Sequence, residues 1–385
     1  MPVEIVFTGG GSGGHLSPAL ALISSILEQS FLGLTSANIA YIGSSDGIES
    51  IEIPAFRLKY FPVCTGKLRR YFSLQNFLDL FRLPIGICQA FLVLKRLKPR
   101  ILFSTGGYVA FPAVVAARLL NIPVIIHEQT MAVGLANRLS GFFAHRVLLT
   151  FKDSCKFFKP ENCEVTGLPL RQTLFSGDRK SLISRFKFTD RPILFITGGA
   201  QGSRIINRVV GEILPELLQD FQVIHQCGRH PKNPYLSELE KIKKGLPEEI
   251  QNDYVVAEFF RESLPDILNG ADLLLGRSGA GTVYEAMTLK LPAIYIPLPG
   301  ATMNEQFLNA KFVSDSGGAQ ILAESALRAN SLLDELKKLS DLKKIIEMKK
   351  NLESLNCPNG LYPILAILKQ ELAYSRKEHA NSRKK

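Results

Sequence analysis

Three segments of this 385-residue chain pair glycines with residues able to handle an anion or a proton. Gly9, Gly11 and Gly14 fit a GxGxxG pattern, and His15 follows directly. Glycines in such a loop let backbone amides approach an anion at a helix N-terminus. An imidazole at that entrance could take a proton or meet developing negative charge. Gly106 and Gly107 lead into Tyr108, and His127–Glu128–Gln129 closes an apolar run. Polar residues at the carboxyl ends of parallel strands line the crevice where open α/β sheets bind ligands. Glu128 there reads as a base, as a charge orienting a hydroxyl, or as part of a cluster tying loops together. The most specific segment runs from Gly276 to Glu285. Amides at Ala280, Gly281, Thr282 and Val283 would face a diphosphate, with a helix-dipole contribution of about 0.3–1 kcal/mol. Glu285 could accept both hydroxyls of a ribose, and Gln306 could contact a sugar. The dinucleotide form of the first loop wants an acid about 20 residues on. Asp46 and Glu49 come later than that, past a turn, which disfavours NAD. Neither GxxxxGK[ST] nor DxD occurs, so neither a P-loop nor a metal clamp is called for.

These residues need elements to hold them. Apolar, β-branched runs at 3–7, 39–42, 101–103, 124–126 and 147–149 alternate with helix-period segments, and the pattern repeats at 193–196, 222–225, 254–256, 273–275 and 293–296. Alternating β and α elements predict parallel sheets covered on both faces. Each half opens with strand, glycine loop and amphipathic helix. In the first, Ser17 is the expected N-cap, Pro18 a first-turn residue, and Leu16, Leu20, Ile23 and Leu27 the buried stripe. In the second, residues 198–202 precede Ile205, Ile206, Val209, Val210, Ile213 and Leu217. Gly167 and Pro169 mark a hinge. The expected fold is therefore α/β, with two Rossmann-like domains facing each other across a cleft. Residues 1–166 form the first domain and 167–360 the second, while 361–385 form a helix and basic tail packing back on the first.

Hydrophobic residues make up 46% of the chain and charged residues 21%, ordinary for a globular protein. The six cysteines have neither CxxC nor metal-ligand spacing, which suits a reducing compartment. The N-terminus lacks the basic region of a cleavable signal, and the longest apolar stretch is broken by Arg118 and Asn121, so a cytoplasmic protein is expected. Net charge is +11, of which +9 falls between Arg57 and Arg100. There Arg69 and Arg70 stand beside Phe72, Phe77, Phe81 and Ile85, a pattern suited to an anionic bilayer surface. It also fits an amphipathic helix packed on its own core. No nucleic-acid-binding motif accompanies the charge.

Together, Gly10–Gly11–Ser12–Gly13–Gly14–His15, Gly106–Gly107–Tyr108, His127–Glu128–Gln129, Gly199–Ala200–Gln201–Gly202–Ser203–Arg204, Arg277–Ser278–Gly279–Ala280 and Glu305–Gln306 with Asn309–Ala310 resemble the MurG family within glycosyltransferase family 28. The resemblance implies a GT-B fold and inverting transfer of N-acetylglucosamine from UDP-N-acetylglucosamine to the 4-hydroxyl of the muramyl sugar of lipid I, giving lipid II for peptidoglycan. It implies no cofactor, a peripheral place on the cytoplasmic membrane face, nucleotide in the C-terminal domain and lipid-linked acceptor in the N-terminal one. Ser12, Gly13, Gly14 and His15 match the family's first loop, whose histidine is needed for activity. Arg171 matches an arginine near the donor, and Phe260 the position whose backbone reads uracil. Ala280, Gly281, Thr282, Val283, Tyr284 and Glu285 match the diphosphate and ribose segment, and Gln306 the sugar contact. The region from Arg69 to Ile85 resembles the family's membrane patch. Thr130, Ala200, Leu168 and Glu305 stand where asparagine, serine, asparagine and histidine are usual. A UDP-N-acetylglucosamine 2-epimerase, or a sugar-nucleotide-binding protein without turnover, would use similar domains.

Overall fold

The computed structural model describes residues 2–66 and 74–382. The chain divides into two units, residues 1–171 with 358–385 and residues 172–357, where the sequence suggested divisions at 166/167 and 360/361. Backbone pairing accounts for the difference. Asn359 accepts from Leu170 N (2.9 Å) and donates to its carbonyl (3.2 Å), while Gly360 N donates to Leu168 O (2.9 Å). Residues 167–170 are thereby held to the returning chain.

In the first unit, strands β1 (Ile5–Thr8), β2 (Ile39–Gly43), β3 (Lys59–Pro62), β4 (Ile101–Ser104), β5 (Val124–Glu128), β6 (Arg146–Leu149) and β7 (Cys163–Val165) form one parallel sheet, ordered β3-β2-β1-β4-β5-β6-β7. Side chains alternate across it, as the two-residue period of a strand requires. Ile5, Phe7, Ile39, Tyr41, Ile101, Phe103 and Ile125 enter one core with Leu16, Leu20 and Ile23 of the helix Gly13–Glu28. The same core takes Leu361, Ile364, Leu365 and Leu368 of the C-terminal helix Leu361–Ser382. Val6, Ala40, Ile42, Leu102, Val124 and Ile126 face the helices Leu74–Leu97 and Phe111–Leu119. Each fully buried Leu or Ile contributes roughly 1.5–3 kcal/mol, so both helical layers are held by apolar burial.

The second unit repeats the plan with β8 (Ile193–Thr197), β9 (Gln222–Gln226), β10 (Tyr254–Ala257), β11 (Leu273–Gly276), β12 (Ala293–Tyr295) and β13 (Ala319–Ile321), ordered β10-β9-β8-β11-β12-β13 and again parallel. Its core takes Ile206, Val209, Val210, Ile213 and Leu217, with Ile205 packed at the margin.

The ten apolar runs became the ten strands in register with them, but β3, β7 and β13 had no apolar signature. All three are edge strands with half-exposed or exposed residues, so they need no buried run. The first glycine helix also begins earlier than expected. Ser12, not Ser17, is the N-cap, and Pro18 lies inside the helix, because Gly13 and Gly14 already take helical geometry and Leu16 N bonds Ser12 O (3.2 Å).

Of the expected membrane patch, Arg69, Arg70 and Phe72 lie outside the described residues, as does the Phe77 side chain; Phe81 and Ile85 are 58% and 51% exposed. Among the described residues no helix is long and apolar enough to cross a membrane.

Candidate functional site

The first glycine loop is built from behind. Gly10 has φ +143° and Gly11 φ +75°, and a Cβ on either would run into Glu49 or the Tyr108 ring. Gly10 N donates to Gly106 O (3.3 Å) and Gly11 N to Glu49 Oε2 (3.2 Å). Glu49 is fully buried, and its other oxygen accepts from Ser44 N (3.2 Å) and Ser44 Oγ (2.5 Å). A carboxylate thus already occupies the Gly11 amide, and a phosphate would be repelled there. The outward side differs. Ser12, Gly13 and Gly14 are exposed, Ser12 makes no side-chain cap, and a Cβ on Gly13 would meet nothing within 4 Å. No acid lies in the first helical turn, so its free amides and dipole face open space.

His15 sits in that first turn, half-buried. Its Nδ1 lies 3.0 Å from Thr105 O and 3.1 Å from Gln129 Oε1. Gln129 Nε2 donates to Thr105 O (2.7 Å) and His127 O (3.1 Å). His127 is fully buried, with Nε2 3.0 Å from Gly167 O. Burial pushes its pKa down to about 4, against a smaller opposing pull from the Gly167 carbonyl, so the ring is neutral near pH 7.

Glu128 does not reach an open crevice. It is buried, with Oε1 accepting from Thr130 N (2.9 Å) and within 2.8 Å of Thr130 Oγ1, and Oε2 accepting from Asn137 Nδ2 (2.7 Å). Asn137 lies against Gly106, where a Cβ would come within 2.2 Å of its Oδ1. Of the readings open for Glu128, this geometry favours the cluster that ties loops together over a base facing substrate. Thr130 shares its single hydroxyl proton between Glu128 Oε1 and Ala132 O (2.9 Å), and so takes part in this clasp. Tyr108 is half-buried with its ring over Gly11. Arg171 is exposed at the end of the first unit.

In the second unit the loop after β8 is closed by Gly199 N on Thr197 Oγ1 (3.1 Å) and Gly202 N on Gly199 O (3.0 Å). Ser203 caps the helix Arg204–Glu212. Ala200 is exposed, and its carbonyl accepts from Arg229 N (3.0 Å). The loop after β11 is pinned by Arg277, which donates to Ser203 Oγ (2.8 Å), Ile296 O (3.0 Å) and Pro297 O (3.3 Å) and pairs with Glu324. Beyond it starts the helix Ala280–Thr288, with no side-chain cap, no acid in its first turn, and open space at Gly279 and Gly281. Ala280, Gly281 and Thr282 are half-exposed, and Glu285 follows on the same helix, also half-exposed. Val283 and Tyr284 are buried, so a ligand would meet them through the backbone. Gln306 is half-exposed and accepts from Leu298 N (2.9 Å) through Oε1, leaving its amide NH2 as the donor for a ligand. Phe260 N donates to Gln226 Oε1 (3.2 Å), so a base read at Phe260 uses its carbonyl or displaces Gln226.

No local pattern marks Glu49, Gln129, Asn137 or Arg277 for these contacts. Glu49 comes too late in the chain for a ribose acid, and Gln129 and Arg277 stand inside motifs that do not name their partners. Asn137 carries no local signal.

Two parallel-sheet α/β units, each with a glycine loop at a helix N-terminus, are the make-up of GT-B glycosyltransferases. Residues 5–149 match the glycosyltransferase family 28 N-terminal domain and residues 193–358 the family 28 C-terminal domain. The chain is 40% identical over 340 residues to a Clostridium kluyveri protein named UDP-N-acetylglucosamine--N-acetylmuramyl-(pentapeptide) pyrophosphoryl-undecaprenol N-acetylglucosamine transferase, covering 87% of this chain and 90% of the relative. A Clostridium botulinum (strain Loch Maree) protein of the same name is 38% identical, with 95% and 99% covered. The crystal structure of Acinetobacter baumannii MurG superposes with a TM-score of 0.73 at 25% identity, covering 96% of this chain and all of that one. The chain belongs to glycosyltransferase family 28 and is a glycosyltransferase.

Proposed function

We propose that this chain transfers N-acetylglucosamine from UDP-N-acetylglucosamine to the 4-hydroxyl of the muramyl sugar of lipid I, giving lipid II for peptidoglycan. The names of its relatives support both substrates, and favour transfer over isomerisation or binding without turnover. The observation that carries the chemistry is His15, whose Nδ1 faces two oxygen acceptors and whose Nε2 is thereby left as the basic atom.

The muramyl oxygen forms its bond to the anomeric carbon on the face opposite the diphosphate. Its proton passes to His15 Nε2. The bond from the anomeric carbon to the β-phosphate oxygen breaks, and its electron pair leaves with UDP, so the new linkage is β. Ser12, Gly13 and Gly14 offer amides to the acceptor's own diphosphate. Ala280, Gly281 and Thr282 do the same for the donor, where a preorganised donor to developing charge is worth about 10²–10³ in rate. Glu285 receives the ribose hydroxyls, the Phe260 backbone the uracil, and Gln306 the transferred sugar, with Ala200 and Arg171 beside the donor. Tyr108, packed on Gly11, borders the acceptor. Phe81 and Ile85, exposed on the helix Leu74–Leu97, support a peripheral contact with the anionic cytoplasmic membrane face.

Incubation of the full chain with labelled UDP-N-acetylglucosamine, with and without a lipid I analogue, tests the reading. Acceptor-dependent disaccharide is the expected product. Epimerised sugar without acceptor, or bound donor with no turnover, would overturn it.

A further inference from the structure

The proton positions around His15 follow from its neighbours. Gln129 Nε2 lies 2.7 Å from Thr105 O and 3.1 Å from His127 O. Carbonyl oxygens only accept, so this end of the side chain is the NH2 and Oε1 is the end facing His15. His15 Nδ1, set between Gln129 Oε1 and Thr105 O, must therefore carry the ring proton. His127 Nε2 faces Gly167 O at 3.0 Å and carries that ring's one proton, and its Nδ1, 3.3 Å from Gln129 Nε2, accepts. Every donor in the chain from Gly167 O through His127 and Gln129 to His15 meets an acceptor, and reversing any one group would set like against like.

We propose that Gln129, backed by His127, is the positioning residue that fixes the tautomer and ring orientation of His15, so that the Nε2 lone pair faces the acceptor hydroxyl. This rests on His15 as the base in the reading above. Because the partner is an amide, the tautomer is set without placing a negative charge against the imidazole. A carboxylate there would favour the imidazolium and make the lone pair available only at higher pH. The other ionisable groups around this site are engaged elsewhere: Glu128 by Thr130 and Asn137, Glu49 by Ser44 and Gly11, and His127 through Gln129. Tyr108 stands over Gly11.

The tautomer is read directly by ¹⁵N NMR of the full chain labelled at histidine, with His15→Ala identifying its signals among the six histidines. A protonated Nδ1 and pyridine-like Nε2 are expected; a protonated Nε2 overturns the proposal whether or not the protein makes disaccharide. Gln129→Glu should shift the acid limb of kcat/KM to higher pH, and an unmoved limb counts against the assignment. Gln129→Met, which keeps volume, should lower kcat about ten- to a hundredfold, since Thr105 O still holds Nδ1, with KM for UDP-N-acetylglucosamine unchanged. Should that variant fail to fold, the wild-type spectrum and Gln129→Glu decide. Absence of disaccharide from the wild type would overturn the function while leaving the tautomer standing.

Discussion

The helices Gly13–Glu28 and Ala280–Thr288 begin alike, each with a glycine-bearing first turn, no side-chain cap and no acid in that turn. What stands behind them differs. Behind the first is a buried acid, Glu49, which takes the inner amide of Gly11, and a neutral amide and imidazole that orient His15. Behind the second is an ion pair, Arg277 with Glu324, whose guanidinium ties the loop to Ser203 and to the carbonyls of Ile296 and Pro297. An acid at the back restricts an anion to the outer amides, beside a base. An arginine whose charge is met by Glu324 fixes the shape of the loop and leaves an anion to the helix amides. The two units share a plan but differ in the groups beneath each loop, and in the proposed function the first loop serves the acceptor and the second the donor.

The contrast can be broken at its two ends. His15→Ala should lower kcat by about 10²–10⁴ while UDP-N-acetylglucosamine affinity holds. Glu285→Ala should do the reverse, weakening UDP binding about 10–100-fold, as expected for hydrogen bonds to a charged group. Titration calorimetry with UDP beside steady-state rates separates them, and equal losses in both variants would dissolve the distinction.

Glu49→Gln should act more modestly and only on the first unit's side. The amide keeps the size but loses one acceptor, so KM for the lipid I analogue should rise about tenfold with UDP affinity unchanged. A change in UDP affinity would mean that the two loops are not separately supported.

A pH effect is shared by both units. Each buries a neutral histidine: burial holds His127 at about 4 and His225 at about 3, below the ordinary 6.5. In both, the unfolded chain takes the proton first. Their contribution to stability is therefore complete above 6.5 and is lost as pH falls toward those folded values. Urea midpoints should decline through that window, and a flat midpoint down to pH 4 would contradict the burial of neutral rings.

Much of this was legible beforehand where the requirement is local. Interior strands must be apolar on both faces, and the runs at 39–42, 101–103 and 273–275 announced themselves. The loops at Gly9 and Gly276 did so because close backbone approach excludes side chains. The edge strands β3, β7 and β13 stayed hidden because half-exposed residues carry no pattern. The readings of Glu128 stayed open because a carboxylate at a strand end looks the same whether it meets substrate or, as here, Thr130 and Asn137.

The sequence by itself determined the two α/β halves, their glycine loops, the histidine at the first helix entrance and the family to which they belong. Tertiary structure alone decided which groups are free to react. His15 meets Thr105 and Gln129 across 90 and 114 positions of chain, and Glu49 reaches Gly11 across 38. Hydrogen-bond partners at such separations are set by strand order in the folded sheet, which no local spacing encodes.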